Sequence, residues 1–560
     1  MCRALVIMAT LLAAPVGAAG ESLQIRYNTV GYLPNAEKLA TIAAPCTNFT
    51  VVRVTDGVVA FQGKTTGPVL NGDTQEQLYT ADFSALRQPG NYRIEVPLVG
   101  KSAPFRIAAD VCREPFSTVM LGMYLWRCGT AVSAVYRGQT FAHAACHTND
   151  AWLDFVGGGH TNKDGTQGWH DAGDYNKYVV NAGATVGVMF RAWEDFGAQI
   201  RQVHLAIPES GGKLPDFLAE LKWEMDWLLK MQAPDGSVYH KVTTKQFGPF
   251  IMPEAEAGER YFTPWSSEAT ADFVAMAAQA ARIYKPYDPA YASRCLEAAQ
   301  RSYQFLQAHP EFHKADSAGI RTGSYEIRTE INESSHRLNG IPNNRLWAAA
   351  ELWETTGSPD VLRDLEARIS AIQGQVNFAF DWDELKDLGL LTYLFSQRPD
   401  RDPALVKLVR SNLLAVADEM VQTNCLQGYP NPFGSRYGWG YNGFVARQTL
   451  VLMAADRLTR PENKPEYRAA GLDALNFLLG RNYYGRSFVT GIGCRPPLHP
   501  HDRRSGGDNG VPWPGYLVGG PWPRATDWKD DQRDARTNEI AINWNAALIY
   551  ALAAFLEASP

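Results

Sequence analysis

Eight cysteines in 560 residues are too few for a fold framed by disulfides. Beyond the N-terminus, no segment holds about 18 uninterrupted apolar residues, so no membrane insertion is expected. A basic excess is also missing. The 53 Lys and Arg residues face 59 Asp and Glu, a net charge of −6, and no basic block stands out. Polyanions, and nucleic acid with them, therefore drop out of the expected partners. There is no low-complexity segment and no short repeat, which disfavours a solenoid. Aromatic residues are plentiful: 15 Trp and 24 Tyr. Such rings stack on sugar faces, although in a chain of this size most of them fill the core.

Residues 1–19 combine one Arg, the apolar run LVIMATLLAAPV and the small residues GAA, with GAAG closing at position 20. This is the grammar of a secretory signal cleaved near Ala18 or Ala19, so an exported protein, secreted or periplasmic, is expected. Its removal leaves seven cysteines, an odd number that points to another use of sulfur.

Residues 22–107 alternate apolar and polar positions in short runs such as LQIRYNTV, FTVVRVT and YRIEVPL, which predicts a small β-sandwich. From residue 112 to 560 the spacing becomes helical, as in DFLAELKWEMDWLLKMQ and NEIAINWNAALIYALAAFLE. About twelve such segments pass the periodicity test. Closed as six hairpins they make an (α/α)6 barrel, so the fold class is multidomain, a β-sandwich followed by an all-α barrel. Long loops at 240–265, 311–343, 425–440 and 482–535 are where a site is expected.

Two motifs carry chemistry. GWHDAGDY at 168–175 holds Asp171 and Asp174, and TNEIAINWNA at 537–546 holds Glu539. Cleaving a glycosidic bond needs one carboxylic acid to protonate the leaving oxygen and one carboxylate to activate water or attack carbon. The competing reading is structural. Asp-x-x-Asp ahead of YVVNAGATVGVMF caps a helix, and Glu539 suits the first turn of the last one.

Three ordered blocks decide between these readings: GWHDAGDYNKYVVNAG, SFVTGIGCRPPLHPHDR at 487–503 and WKDDQRDARTNEIAINWNA at 528–546. On them the chain resembles glycoside hydrolase family 9, the cellulase-like inverting hydrolases, from about residue 22 to the C-terminus. The resemblance implies Asp174 as general base, Asp171 as a holder of the water, and Glu539 as acid. It implies sugar contacts from His501 and Arg503 of the Pro-His-x-Arg motif; Asp530, a further candidate at the substrate, either orients the catalytic apparatus or is simply a loop carboxylate. It also makes the sandwich the immunoglobulin-like domain that precedes the barrel in one branch of the family. Ala535 departs from the pattern, since an aromatic residue often stands there. Trp439 and Trp544 are candidates to line the acid, or equally belong to the core.

As acid, Glu539 must stay protonated against a helix dipole that favours ionisation, so burial or repulsion from Asp174 has to prevail. Inversion further predicts carboxyl groups roughly 6.5–9.5 Å apart.

Cys128, Cys146, His147 and His170 supply two thiols and two imidazoles, a complete closed zinc shell, although a Cys128–Cys146 disulfide fits the same residues. The resemblance favours structural zinc, because some bacterial members hold it with residues so placed. Calcium is a second expectation. TGSY at 322–325 matches one part of the family's site, but Asn343 and Asn344 replace its acidic pair. Glu209, Asp216 and Glu220 offer another location, or simply open a helix.

The function implied is hydrolysis of β-1,4-glucosidic bonds in cellulose-type or mixed-linkage glucans and cello-oligosaccharides, by an endo-acting monomer. The alternative is an exo-acting glucosidase or glucosaminidase of the same family, with the insert at 326–340 closing one end of the cleft. A non-catalytic glycan-binding protein is the third reading.

Overall fold

The computed structural model describes residues 21–326, 343–462 and 464–557. Residues 1–20, where a leader is expected, and nearly all of the 326–340 insert lie outside the described residues.

The N-terminal domain is the expected immunoglobulin-like sandwich. One sheet orders its strands Ile25–Arg26, Leu39–Ile42, Gln77–Asp82 and Thr66–Leu70. The other runs Gly31–Tyr32, Phe105–Ile107, Gly90–Val96, Asn48–Arg53 and Val59–Lys64, with Gly100–Lys101 added beside Gly90–Val96. Strand period dictates the filling: Tyr92, Ile94 and Val96 face inward while their neighbours stay more open. Tyr32, Phe83 and Phe105 meet there with ring centroids 5.2–5.7 Å apart.

The second domain is an α/α barrel of twelve long helices among the described residues, and burial separates its two rings. Ile542–Ala553 is buried at every position, as an inner helix must be. Pro403–Leu426 buries only Val409, Leu413, Ala417, Met420 and Asn424, one stripe at helical spacing, as an outer helix does. Around the inner ring, Ile542–Ala553 packs on Val179–Ile200, which packs on Ser267–Tyr284, then Asn344–Thr356, then Lys386–Phe395; Tyr441–Thr459 returns to Ile542–Ala553.

Polar contacts join the domains. Thr29 donates to the Leu479 carbonyl at 2.6 Å, Asn28 to Asn476 at 3.0 Å, and Arg481 to Thr41 at 3.1 Å. Tyr429 donates to Glu76 and Tyr437 to Asp73, at 2.7 and 2.8 Å. At one barrel rim a small antiparallel sheet, Lys177–Tyr178, Lys241–Thr243 and Tyr261–Phe262, ties the loop 168–178 to the loop 240–265.

Candidate active site

The loop carrying Asp171 and Asp174 is locked between two distant segments. The main-chain N–H of Ile542 donates to the Asp171 carbonyl at 2.9 Å, and that of Arg503 to the Gly173 carbonyl at 3.0 Å. On the far side, His501 and Glu539 run side by side as a parallel bridge. Gly173 is required by this approach, since a Cβ there would lie 2.3 Å from the His501 carbonyl oxygen. Folding thus brings the three motifs to one place.

Neither aspartate caps the following helix. Val179–Ile200 begins after Tyr178 with no side-chain cap. Asp171 instead accepts from Asn181 Nδ2 at 2.8 Å and from the Tyr325 hydroxyl at 2.7 Å. Asp174 accepts from Asn176 Nδ2 and, at 3.3 Å, from the Tyr178 hydroxyl. Donors of this kind hold both carboxylates in place.

Glu539 corrects one expectation. It lies outside the last helix, which starts at Ile542; its backbone is extended, just after the single turn Ala535–Asn538. The dipole of the last helix therefore does not govern it. Burial, then Asp174, then Asp171 push its carboxyl well above the usual range, with Arg503 and the Gly173 N–H pulling back. The residue as a whole is half-buried. Burial first, and Asp174 second, likewise raise the buried Asp171. Burial and two acidic neighbours thus favour the proton on Glu539, while the carboxylate of Asp174 is engaged by Asn176 and Tyr178.

The remaining candidates divide. His501 donates from Nδ1 to the Gln532 carbonyl at 2.7 Å, which in the neutral ring leaves Nε2 an acceptor; burial lowers its pKa and keeps it neutral. Arg503 spends two N–H groups on main chain, to Gly248 at 2.9 Å and Gly173 at 2.8 Å, so it clamps the walls of the site. Asp530 accepts from the N–H groups of Leu498 and His499 at 2.8 Å and from Arg486 at 3.0 Å. Its carboxylate thus organises the loop leading to His501, in keeping with the orienting reading of this position. Trp544 is only 5% exposed and packs against Gly440 and Gly443, as the core reading of it has it. Trp439 is 49% exposed, its ring 6.2 Å from that of Trp522.

Beneath the catalytic loop, Cys128, Cys146, His147 and His170 converge with all four ligand atoms within 4.8 Å of one another. Cys128 Sγ lies 3.5 Å from His147 Nδ1, and Cys146 Sγ 3.7 Å from His170 Nε2. Zn–S and Zn–N bonds of about 2.3 and 2.0 Å in a tetrahedron give edges of about 3.3–3.8 Å, so the donor set fits. Both cysteines are free thiols, and burial pushes His170 down to about 3, leaving it the neutral ring a metal needs. Glu256 sits 3.2 Å from His147 Nε2, the outer carboxylate that orients a ligating imidazole.

The calcium locations have other occupants. Arg127 forks onto Glu209 and Glu220 at 2.9 Å, while Asp216 accepts from Leu205, Ser210 and Gly211. At TGSY, the Lys241 ammonium donates to the Gly323 carbonyl at 2.8 Å and to Thr322 Oγ1 at 3.3 Å. Asn344 Oδ1 is taken by the Leu385 N–H at 3.0 Å.

Sequence reasoning passed over Tyr325, Tyr178, Asn176, Asn181 and Lys241. Three of them lie inside the quoted GWHDAGDYNKYVVNAG block, where a polar residue interrupting an apolar run was the available signal. Tyr325 was read only as part of TGSY.

An immunoglobulin-like domain, an α/α barrel, and three carboxylates gathered at the barrel's rim define a carbohydrate-cleaving enzyme, a glycosidase. Residues 113–552 match the model of glycosyl hydrolase family 9, and residues 21–101 that of the cellulase N-terminal Ig-like domain; the chain belongs to glycosyl hydrolase family 9. It is 53% identical to Endoglucanase D of Acetivibrio thermocellus over 537 residues, 95% of this chain and 83% of that protein. It is 34% identical to a cellodextrinase of Butyrivibrio fibrisolvens, over 95% of this chain and all (100%) of that one. A Zn-binding triple mutant of the family 9 endoglucanase J30 superposes with a TM-score of 0.85 at 32% identity, covering 94% of this chain and 99% of the other.

Proposed function

We propose that this protein is an endo-β-1,4-glucanase, hydrolysing cellulose-type and mixed-linkage β-glucans and cello-oligosaccharides with inversion. The observation that carries the reading is the meeting of Asp171, Asp174 and Glu539 at one rim, with Glu539 held protonated by burial and by its two acidic neighbours. In the single displacement, Asp174 takes a proton from water as its oxygen attacks the anomeric carbon. Asp171 orients that water. Glu539 gives its proton to the departing glycosidic oxygen, so the C–O bond breaks without releasing an alkoxide. The likeness to Endoglucanase D supports the internal mode of cleavage. His501 and Trp439 face sugar in this scheme, Trp439 with Trp522 as a stacking pair.

The Cys128–Cys146–His147–His170 set would hold zinc. With four protein donors no position is left for substrate, so the ion's chemistry is structural: it would fix His170, the residue before Asp171. Calcium stays outside the proposal, since Lys241 and Arg127 already engage the oxygens it would need. We place the protein outside the cytoplasm on the strength of its leader, acting as a monomer. Among the described residues no helix is long and apolar enough to cross a membrane.

Proton NMR of cellohexaose hydrolysis tests the reading through product lengths and the first anomer formed. Internal cleavage with initial α-anomer is expected. Release of single terminal sugars, or reaction only on chitosan oligomers, would replace it by the exo-acting alternative.

A further inference from the structure

Lys241 is fully buried, and the carboxylate whose charge bears on its ammonium is Asp174, which pulls against the burial without bonding to it. Burying a charge without a directly bonded counter-ion costs several kcal/mol, and a Met of similar length would avoid that cost. The charge is therefore retained for something it does.

Its surroundings show what. Nζ donates to the Gly323 carbonyl and to Thr322 Oγ1 at 2.8 and 3.3 Å, and lies 5.5 Å from the centre of the Tyr178 ring. Thr243, on the same strand, shares a 2.7 Å hydrogen bond with Thr322. Two residues beyond Gly323, Tyr325 turns into a left-handed backbone conformation, φ 47°, and its hydroxyl reaches Asp171. The Tyr178 and Tyr325 rings touch at 4.6 Å, and the Tyr178 hydroxyl reaches Asp174. The strand grips Asp174 a second way: the Thr244 N–H donates to Asn176 Oδ1 at 2.9 Å, while Asn176 Nδ2 donates to Asp174. One buried cation thus sits under both hydroxyl donors of the aspartate pair.

We propose that Lys241 is a positioning residue of the hydrolytic site: its ammonium grips Thr322–Gly323 and the Tyr178 ring so that Tyr325 and Tyr178 deliver their hydroxyls to Asp171 and Asp174 together. This rests on the assignment of those aspartates made above. Lys241 touches no substrate, so its effect belongs in kcat and is transmitted through the tyrosines.

The test is a double-mutant cycle on cellohexaose with Lys241→Met and Tyr325→Phe, with melting curves as a folding control and Asp174→Ala in parallel. Lys241→Met is expected to lower kcat by roughly 30- to 100-fold, the scale of a misplaced catalytic group, with KM within about threefold. The double variant should be no more than about twofold below the worse single one. Multiplying losses, a kcat within about threefold of the parent, or a loss lying in KM would overturn the proposal. If Lys241→Met does not fold, Thr322→Val takes its place in the cycle, with about 3- to 10-fold loss and the same non-additivity expected; multiplying losses would again overturn it. Should Asp174→Ala retain turnover, the assignment of the aspartates fails; a dead Asp174→Ala beside a multiplying cycle fails Lys241 alone.

Discussion

The core of the sandwich and the rim of the barrel are both buried, but with opposite chemistry. Inside the sandwich, Phe49, Tyr92, Ile94 and Phe105 pack in one apolar cluster, and the buried cation of that domain, Lys38, is spent on the carbonyls of Pro34 and Ala36. At the rim Asp171, Asp174, Lys241 and Arg503 are buried beside one another and held by named hydrogen bonds. A core that only has to be stable fills with hydrocarbon. A core that has to move protons carries charge, and the fold keeps that charge in place with tyrosines, asparagines and main-chain carbonyls. The two regions should therefore respond to substitution in opposite ways.

The largest effect is expected at the rim. Asp174→Ala and Glu539→Gln should each lower kcat on cellohexaose by at least about 10³-fold while the protein stays folded. Glu539→Gln should also raise the melting temperature at pH 7–8. The neutral Glu539 carboxyl contributes its full stability below the ordinary carboxylate range and loses it as pH rises through its elevated value. A glutamine cannot ionise, so the variant escapes that loss; equal melting temperatures across pH would contradict the burial argument. The same elevation sets the alkaline limb of the pH–rate profile: activity should persist above the ordinary glutamate range and fall as Glu539 loses its proton.

Cys128→Ser joins the regions' two behaviours. It should lower the bound zinc measured by elemental analysis below one ion per chain, lower the melting temperature, and reduce kcat by roughly 10- to 100-fold through the His170–Asp171 link. Full activity in a zinc-free protein would remove the metal from the account. Phe105→Ala, in the sandwich, should cost about 3–5 kcal/mol of that domain's stability and leave kcat within about twofold in the folded fraction. The smallest effect falls on Trp439→Ala, expected to raise KM a few-fold at unchanged kcat, as loss of uniform binding does.

Much of this was legible in the chain. Strand alternation at 22–107 and helical spacing beyond it predicted both domains, because burial on one face leaves a period in the sequence. The motifs located Asp171, Asp174 and Glu539, and the Cys/His set was visible as a complete donor inventory. Three things were hidden. Glu539 reads as helical from its apolar neighbours, yet bridging to His501 holds it extended. Trp544 carries no mark in the sequence that separates acid lining from core, and its packing on Gly440 and Gly443 is a long-range contact. Lys241 and Tyr325 are 84 residues apart and meet only through Thr322–Gly323, a long-range contact with no local pattern.

The division of labour between Glu539 and Asp174 is tested most directly by hydrolysis of 2,4-dinitrophenyl β-cellotrioside, whose leaving group needs no proton. Glu539→Gln should keep this activity within about tenfold of the parent although it is dead on cellohexaose, while Asp174→Ala should lose both. Retention by Asp174→Ala, or equal loss in the two variants, would contradict the account.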